Sequence, residues 1–203
     1  GWGNNELQVY TDLPKNVKLE ESNLIITAIE EGNDEFFSAR ITTKDKVEFA
    51  YGRIDVRAKM PKGQGIWPAI WMLGANIDQV SWPACGEIDI MELVGHEPEK
   101  VHGTVHYESN GYQTTSGSKT LLEGDFSDEF HVYTLTWEQN TMSWYVDNEL
   151  YKTFIKPANS IYPFNNEFFF ILNIAVGGNW PGNPDATTLF PQEMTVDYIR
   201  VFR

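Results

Sequence analysis

Apolar residues recur at every second position through most of this chain and almost nowhere at helical spacing. Side chains of an extended strand alternate faces, so that period buries one face and wets the other. Ile54, Val56, Ala58 and Met60 share one face of the segment from Tyr51 to Met60, and Tyr133, Leu135 and Trp137 share one face of another. Leu24 to Ile29, Ser38 to Thr43, Met142 to Val146, Glu149 to Phe154, Phe168 to Val176 and Met194 to Phe202 extend the series. Turn signals separate them: Gly32-Asn33-Asp34, Pro61 to Gly65, and Asp147-Asn148, a dipeptide suited to a two-residue hairpin turn. Many short strands so punctuated predict an all-β chain of two stacked antiparallel sheets. The long polar stretch from Glu108 to Asp125 reads as an irregular loop. No internal repeat or linker interrupts the 203 residues, which suffice for one sizeable domain.

Charge and composition narrow the function. A formal charge of −14 repels nucleic acid and anionic membranes, so a neutral ligand is expected. The longest apolar run, Phe168 to Val176, is too short to span a bilayer and contains Asn173. Seven Trp, nine Tyr and twelve Phe exceed what a core of this size requires, so some are expected to line a binding surface. A single cysteine, Cys85, cannot form an intramolecular disulfide, and the fold must rely on its core.

Glu87-Ile88-Asp89-Ile90-Met91-Glu92 puts three carboxylates within six residues of an otherwise apolar strand. Glu87 and Asp89 point the same way, and Glu92 is out of phase by one residue. A bulge at Ile90–Met91 would return Glu92 to the acidic face. Two plainer readings compete. A solvated strand face is one, yet the comparable Arg53 to Lys59 face mixes charges, whereas no Lys or Arg lies between Lys62 and Lys100. A cation site is the other, but calcium sites draw on flexible loops with carbonyl ligands. Paired-carboxylate catalysis fits best. A retaining glycosidase needs an ionised nucleophile and a protonated acid about 5–5.5 Å apart, and no metal. Glu87 as nucleophile, Glu92 as acid and then base, and Asp89 as modulator between them meet that need.

Aromatic rings stack on the apolar faces of sugars. Trp67 and Trp71 lie an even number of residues apart and share a strand face, Trp82 precedes Glu87 by five residues, and Trp180 sits on the Gly/Pro-rich loop Gly177 to Gly182. His102 and His106 share parity on the next strand. With no third His and no Cys at ligand spacing, zinc is rejected, and His106 is expected to bind sugar or tune Glu92.

These residues, together with Gly63 to Gly74, the opening Gly1-Trp2-Gly3-Asn4-Asn5-Glu6-Leu7-Gln8, Tyr51 to Ile54 and Val196 to Val201, resemble glycoside hydrolase family sixteen, specifically its laminarinase-type endo-β-1,3-glucanases. The resemblance covers nearly the whole chain. It implies a β-jelly-roll sandwich of two curved antiparallel sheets with a concave cleft, and retaining hydrolysis of internal β-1,3 bonds in β-glucans such as laminarin. It assigns Glu87, Asp89 and Glu92 to catalysis and Asn4, Arg40, Trp67, Trp71, Trp82 and His106 to sugar contact. It also implies a structural calcium held by the Gly52 carbonyl, the Asp197 side chain and an acid on an earlier strand, with no cofactor for catalysis. Relatives carry that earlier strand ahead of Gly1, so residues 1–203 are expected to be a single catalytic domain without it. The expected partner is a polysaccharide, with no nucleic acid and no membrane, and the protein is expected to act as a secreted monomer. The alternatives are a mixed-linkage β-glucanase on the same fold and a non-catalytic carbohydrate-binding domain.

Overall fold

The structure, a computed structural model, describes residues 3–203. Gly1 and Trp2, which open the Gly-Trp-Gly-Asn-Asn segment, lie outside the described residues. In chain order the first strands are β1 (Val9–Tyr10), β2 (Val17–Glu20), β3 (Asn23–Glu30), β4 (Phe36–Ser38), β5 (Arg40–Thr42), β6 (Gly52–Lys59), β7 (Ile66–Gly74) and β8 (Glu87–Glu92). They continue with β9 (Lys100–Glu108), β10 (Tyr112–Thr120), β11 (His131–Glu138), β12 (Thr141–Val146), β13 (Glu149–Ile155), β14 (Phe168–Val176) and β15 (Gln192–Phe202). One sheet runs β10-β9-β8-β7-β14-β5 and is antiparallel throughout. The other runs β1-β4-β3-β15-β6-β11-β12-β13, with β2 on β3, and among the described residues only β1 and β4 pair in parallel. The fold is the jelly-roll sandwich expected.

Alternation decides what each sheet offers. On β7, Ile66, Ile70 and Met72 enter the core between the sheets, leaving Trp67, Ala69, Trp71 and Leu73 on the opposite face. On β14, Phe168, Phe170, Leu172, Ile174 and Val176 face the core; Asn173 and Ala175 face away. On β9, Val101, Val105 and Tyr107 point inward, while His102, Thr104 and His106 point out. From the nine-stranded sheet, Trp137 and Trp144 are fully buried, so among the described residues these two tryptophans serve the core.

Three expectations are corrected. The stretch from Glu108 to Asp125 is not an irregular loop: β10 pairs with β9 along its whole length, from Tyr112 opposite Glu108 to Thr120 opposite Lys100. As an edge strand it needs no continuous apolar face, and its Ser, Thr and Gly conceal the period. Ser38 to Thr43 is not one strand, because the chain crosses at Ala39 from β4 in one sheet to β5 in the other. Gly52 and Asp197 do not form a calcium site. Gly52 pairs with Trp137 at one end of β6, and Asp197 sits in the irregularity of β15 beside Arg57 and Ala58. At about 3.3 Å per residue, the five residues from Gly52 to Arg57 separate them by about 17 Å. The Asp197 carboxylate instead pairs with Arg57 Nη1 at 2.6 Å. The glycine at 52 answers a close approach, since a Cβ there would lie 2.5 Å from the Phe202 carbonyl oxygen.

A second pair of glycines governs how the sheets meet. Gly103 on β9 pairs with Gly117 on β10, and a Cβ on Gly103 would stand 2.4 Å from Trp144 Cδ1. Because Trp144 is fully buried, it has no room to yield. Gly103→Ala is therefore expected to cost about 1–3 kcal/mol of stability by overpacking, read as a lower urea midpoint with an unchanged slope.

Candidate active site

The outward faces of β7, β8, β9, β10 and β14 form one wall of a cleft of about 690 Å³. Its floor is set by an irregularity in β8. Trp71 pairs with Asp89 and Ile70 with Met91, leaving Ile90 without a partner on β7. Pairing with β9 shifts at the same place, between Asp89 and Glu92. Ile90 and Met91 both enter the core, so the strand recovers its phase and Glu87, Asp89 and Glu92 all border the cleft. At the bulge, Trp144 Nε1 reaches across from the other sheet to donate to the Asp89 carbonyl at 2.8 Å.

All ten residues expected to contact sugar or perform chemistry border this one cleft: Asn4, Arg40, Trp67, Trp71, Trp82, Glu87, Asp89, Glu92, His106 and Trp180. The two outer carboxylates are each held by an indole. Trp82 Nε1 donates to Glu87 Oε2 at 2.9 Å and Trp67 Nε1 donates to Glu92 Oε1 at 3.1 Å. Asp89 is buried between them, with His106 Nε2 at 3.2 Å from its Oδ2. Trp82 is 50% exposed and Trp180 42%, so neither is core. Trp71 donates from Nε1 to Asn173 Oδ1 at 2.8 Å and carries the Arg40 guanidinium 4.7 Å above its ring. Trp180 meets both Trp67 and His102 edge-on, at 5.5 and 5.1 Å. Asn4 closes one end, where its carbonyl accepts from Asn179 N–H and Asn5 Nδ2 donates to Asn179 Oδ1.

Tyr112 was not anticipated. It stacks on His106 at 5.9 Å, its hydroxyl lies 2.5 Å from His106 Nδ1, and its ring is 5.4 Å from Trp82. The residue falls in the segment expected to be a loop, so no strand parity pointed it at the cleft.

Burial dominates the electrostatics. It raises the proton affinity of all three acids, because an ionised carboxylate loses hydration. Asp89 is pushed up to about 7, first by burial, with the Lys152 cation opposing. Glu92 is pushed up to about 8 by burial and then by the Asp89 charge, against His106 and the Trp67 N–H. Glu87 rises for the same two reasons, and His106 and the Trp82 N–H favour its ionised form. Protons therefore leave the set in successive steps that belong to the group. Glu87, Asp89 and His106 also present donor atoms within 4.8 Å of one another, close enough to enclose a cation. That proximity is equally what proton sharing among the acids requires.

The raised affinity of Glu92 carries a stability consequence. Its folded value of about 8 lies above the 4.5 of an ordinary Glu, so the folded state binds the extra proton. The favourable contribution is complete below about pH 4.5 and is lost as pH rises toward 8. Glu92→Gln, which cannot ionise, is expected to be more stable than the parent by about 1–3 kcal/mol at pH 8, with the gap closing toward pH 4.5. Thermal melts across that range check it.

Residues 2–200 match the family model "Glycosyl hydrolases family 16". The chain is 39% identical to "Glucan endo-1,3-beta-glucosidase A1" of Niallia circulans, covering all of this chain but only 33% of that protein, so it spans about a third of that relative's length. It is 40% identical to "Beta-glucanase" of Rhodothermus marinus, covering all of this chain and 76% of that one. The solved endo-beta-1,3-glucanase of Pyrococcus furiosus superposes with a TM-score of 0.90 at 45% identity, over 99% of this chain and 81% of that one. With the acid-bearing bulge and the aromatic cleft already in view, these similarities establish that the chain belongs to glycosyl hydrolase family 16.

Proposed function

We propose that this protein hydrolyses internal β-1,3-glucosidic bonds of β-glucans such as laminarin, with retention of anomeric configuration. The observation that carries the reading is the pair Glu87 and Glu92, each held by an indole N–H on one cleft face, with buried Asp89 between them. Glu92 keeps its proton to about pH 8, as a general acid must near neutrality. Glu87 and Asp89 share protons as one set, and the Trp82 N–H and His106 favour the ionised form of Glu87 from which it attacks.

In the first step Glu87 attacks the anomeric carbon while Glu92 gives its proton to the departing glycosidic oxygen. This breaks the C–O bond and forms a glycosyl ester on Glu87. Water then enters the vacated side, Glu92 takes its proton, and hydroxide character develops toward the anomeric carbon as the ester bond breaks. Two inversions give retention, and neither step calls for a metal or cofactor. The −14 charge favours a neutral glucan over nucleic acid or a sulfated polysaccharide. A polymer of this kind does not cross a membrane, which supports action outside the cell.

A binding-only domain is disfavoured, because a sugar-binding cleft does not need three carboxylates crowded against one another at a cost in stability. A mixed-linkage β-glucanase remains the second enzyme reading, since the same acid pair serves either linkage.

Reducing-sugar assays on laminarin, curdlan and lichenan, with product anomers followed by NMR, test the reading. Laminarin is expected to be cleaved with the β-anomer released first; an α-anomer first would overturn retention. Glu87→Gln should lower kcat by about 10³-fold or more while still binding laminarin oligosaccharides. The parent's kcat/KM is expected to fall as pH rises through about 8, where Glu92 loses its proton.

A further inference from the structure

A buried cation stands behind the acids, on the core side of the sheet. Lys152 of β13 is only 8% exposed, and its side chain crosses the core to the cleft sheet. Its ammonium donates to the Gly103 carbonyl at 3.0 Å and the Thr115 carbonyl at 2.5 Å, bridging β9 and β10. Room for it exists because Gly117 lacks a Cβ, which would otherwise stand 2.8 Å from Lys152 Cβ. The same ammonium lies 4.2 Å from the Trp144 ring, whose N–H holds the Asp89 carbonyl. Gly103 immediately precedes Thr104, the partner of Asp89 on β9. Lys152, Trp144 and the carbonyl at the bulge thus form one chain of contacts.

An amine this deep normally survives only where its charge has a use, because a methionine of similar length would pack without the cost of desolvation. We propose that Lys152 is a positioning residue for the hydrolysis: a buried counter-cation that holds one negative charge on the acid set and braces the Trp144 contact that shapes the bulge. The inference rests on the roles proposed above for Glu87, Asp89 and Glu92. The other charged or titratable groups facing the set are His102 and His106 from β9, Tyr112 from β10, Tyr151 from β13, Arg40 from β5, Tyr10 from β1, Glu6 ahead of β1 and Cys85 ahead of β8. Arg40 acts on Glu87 from the cleft side, and Lys152 acts on Asp89 from the core side. Burial draws the Lys152 amine down to about 8, so it is charged where the enzyme is proposed to work.

Lys152→Met is the test. Loss of the cation makes every ionisation of the set harder, so both limbs of the kcat/KM profile are expected to move up by about one pH unit, with KM at the optimum little changed. A merely structural lysine would lower the melting temperature and leave both limbs in place, and that result on the folded variant overturns the proposal. Should Lys152→Met fail to fold, [ε-¹³C]lysine NMR of the parent and of Asp89→Asn decides it. Coupling is reciprocal, so the low-titrating lysine is expected to titrate still lower without the Asp89 charge, and an unmoved titration overturns the assignment. Glu87→Gln run in parallel separates the two readings. An active Glu87→Gln enzyme removes the acid-set mechanism itself, whereas an inactive one beside unmoved Lys152→Met limbs removes only the role of the lysine.

Discussion

Where β8 leaves regular pairing, the Trp144 indole N–H crosses from the opposite sheet to donate to the Asp89 carbonyl. A buried hydrogen bond of this kind contributes about 0.5–1.5 kcal/mol, so the contact between the two sheets at that atom stabilises the bulge. The position of Glu92 follows from it. Were β8 regular through all six residues, Glu92 would share the core face with Ile88 and Ile90, and the cleft would hold two acids instead of three.

The crowding that results is opposed by the rest of the molecule. Each outer acid receives an indole N–H, His106 lies beside the middle one, and cations approach from both sides of the sheet. These contacts lower the cost of ionisation without cancelling the effect of burial, which is why the proton affinities stay high. An environment that fully stabilised three anions would leave no proton to give, and one without these partners would leave no anion to attack.

Much of this was legible in the chain. The faces of β6, β11 and β14 show plainly in their apolar period, and the slipped phase of Glu92 against the adjacent pair Ile90 and Met91 signalled a bulge before any coordinates. The indoles were legible as cleft residues through the parity that Trp67 and Trp71 share, the nearness of Trp82 to Glu87 and the Gly/Pro-rich surroundings of Trp180. What stayed hidden depends on neighbours distant in sequence. The β10 strand is too polar to reveal an alternation, so Tyr112 had no face assigned to it. The crossing at Ala39 is a handover between sheets that no local pattern marks. Lys152 lies on a strand whose exposed residues suggest an ordinary solvated face, and only the opening at Gly103 and Gly117 turns it inward. Gly52 and Asp197 carried a family expectation that the strand register does not allow.

The tryptophans of the cleft are not interchangeable. Trp71 already carries a guanidinium on one face and is tethered through its nitrogen to Asn173, so it offers a sugar a single fixed surface. Trp67 is pinned by Glu92 and met edge-on by Trp180, whereas half of Trp82 is open to water beside Tyr112. On the proposed function, a glucan chain laid along this wall would meet fixed rings at Trp67 and Trp71 and more open ones at Trp82 and Tyr112, so its curvature would be read mainly at the Trp82 end.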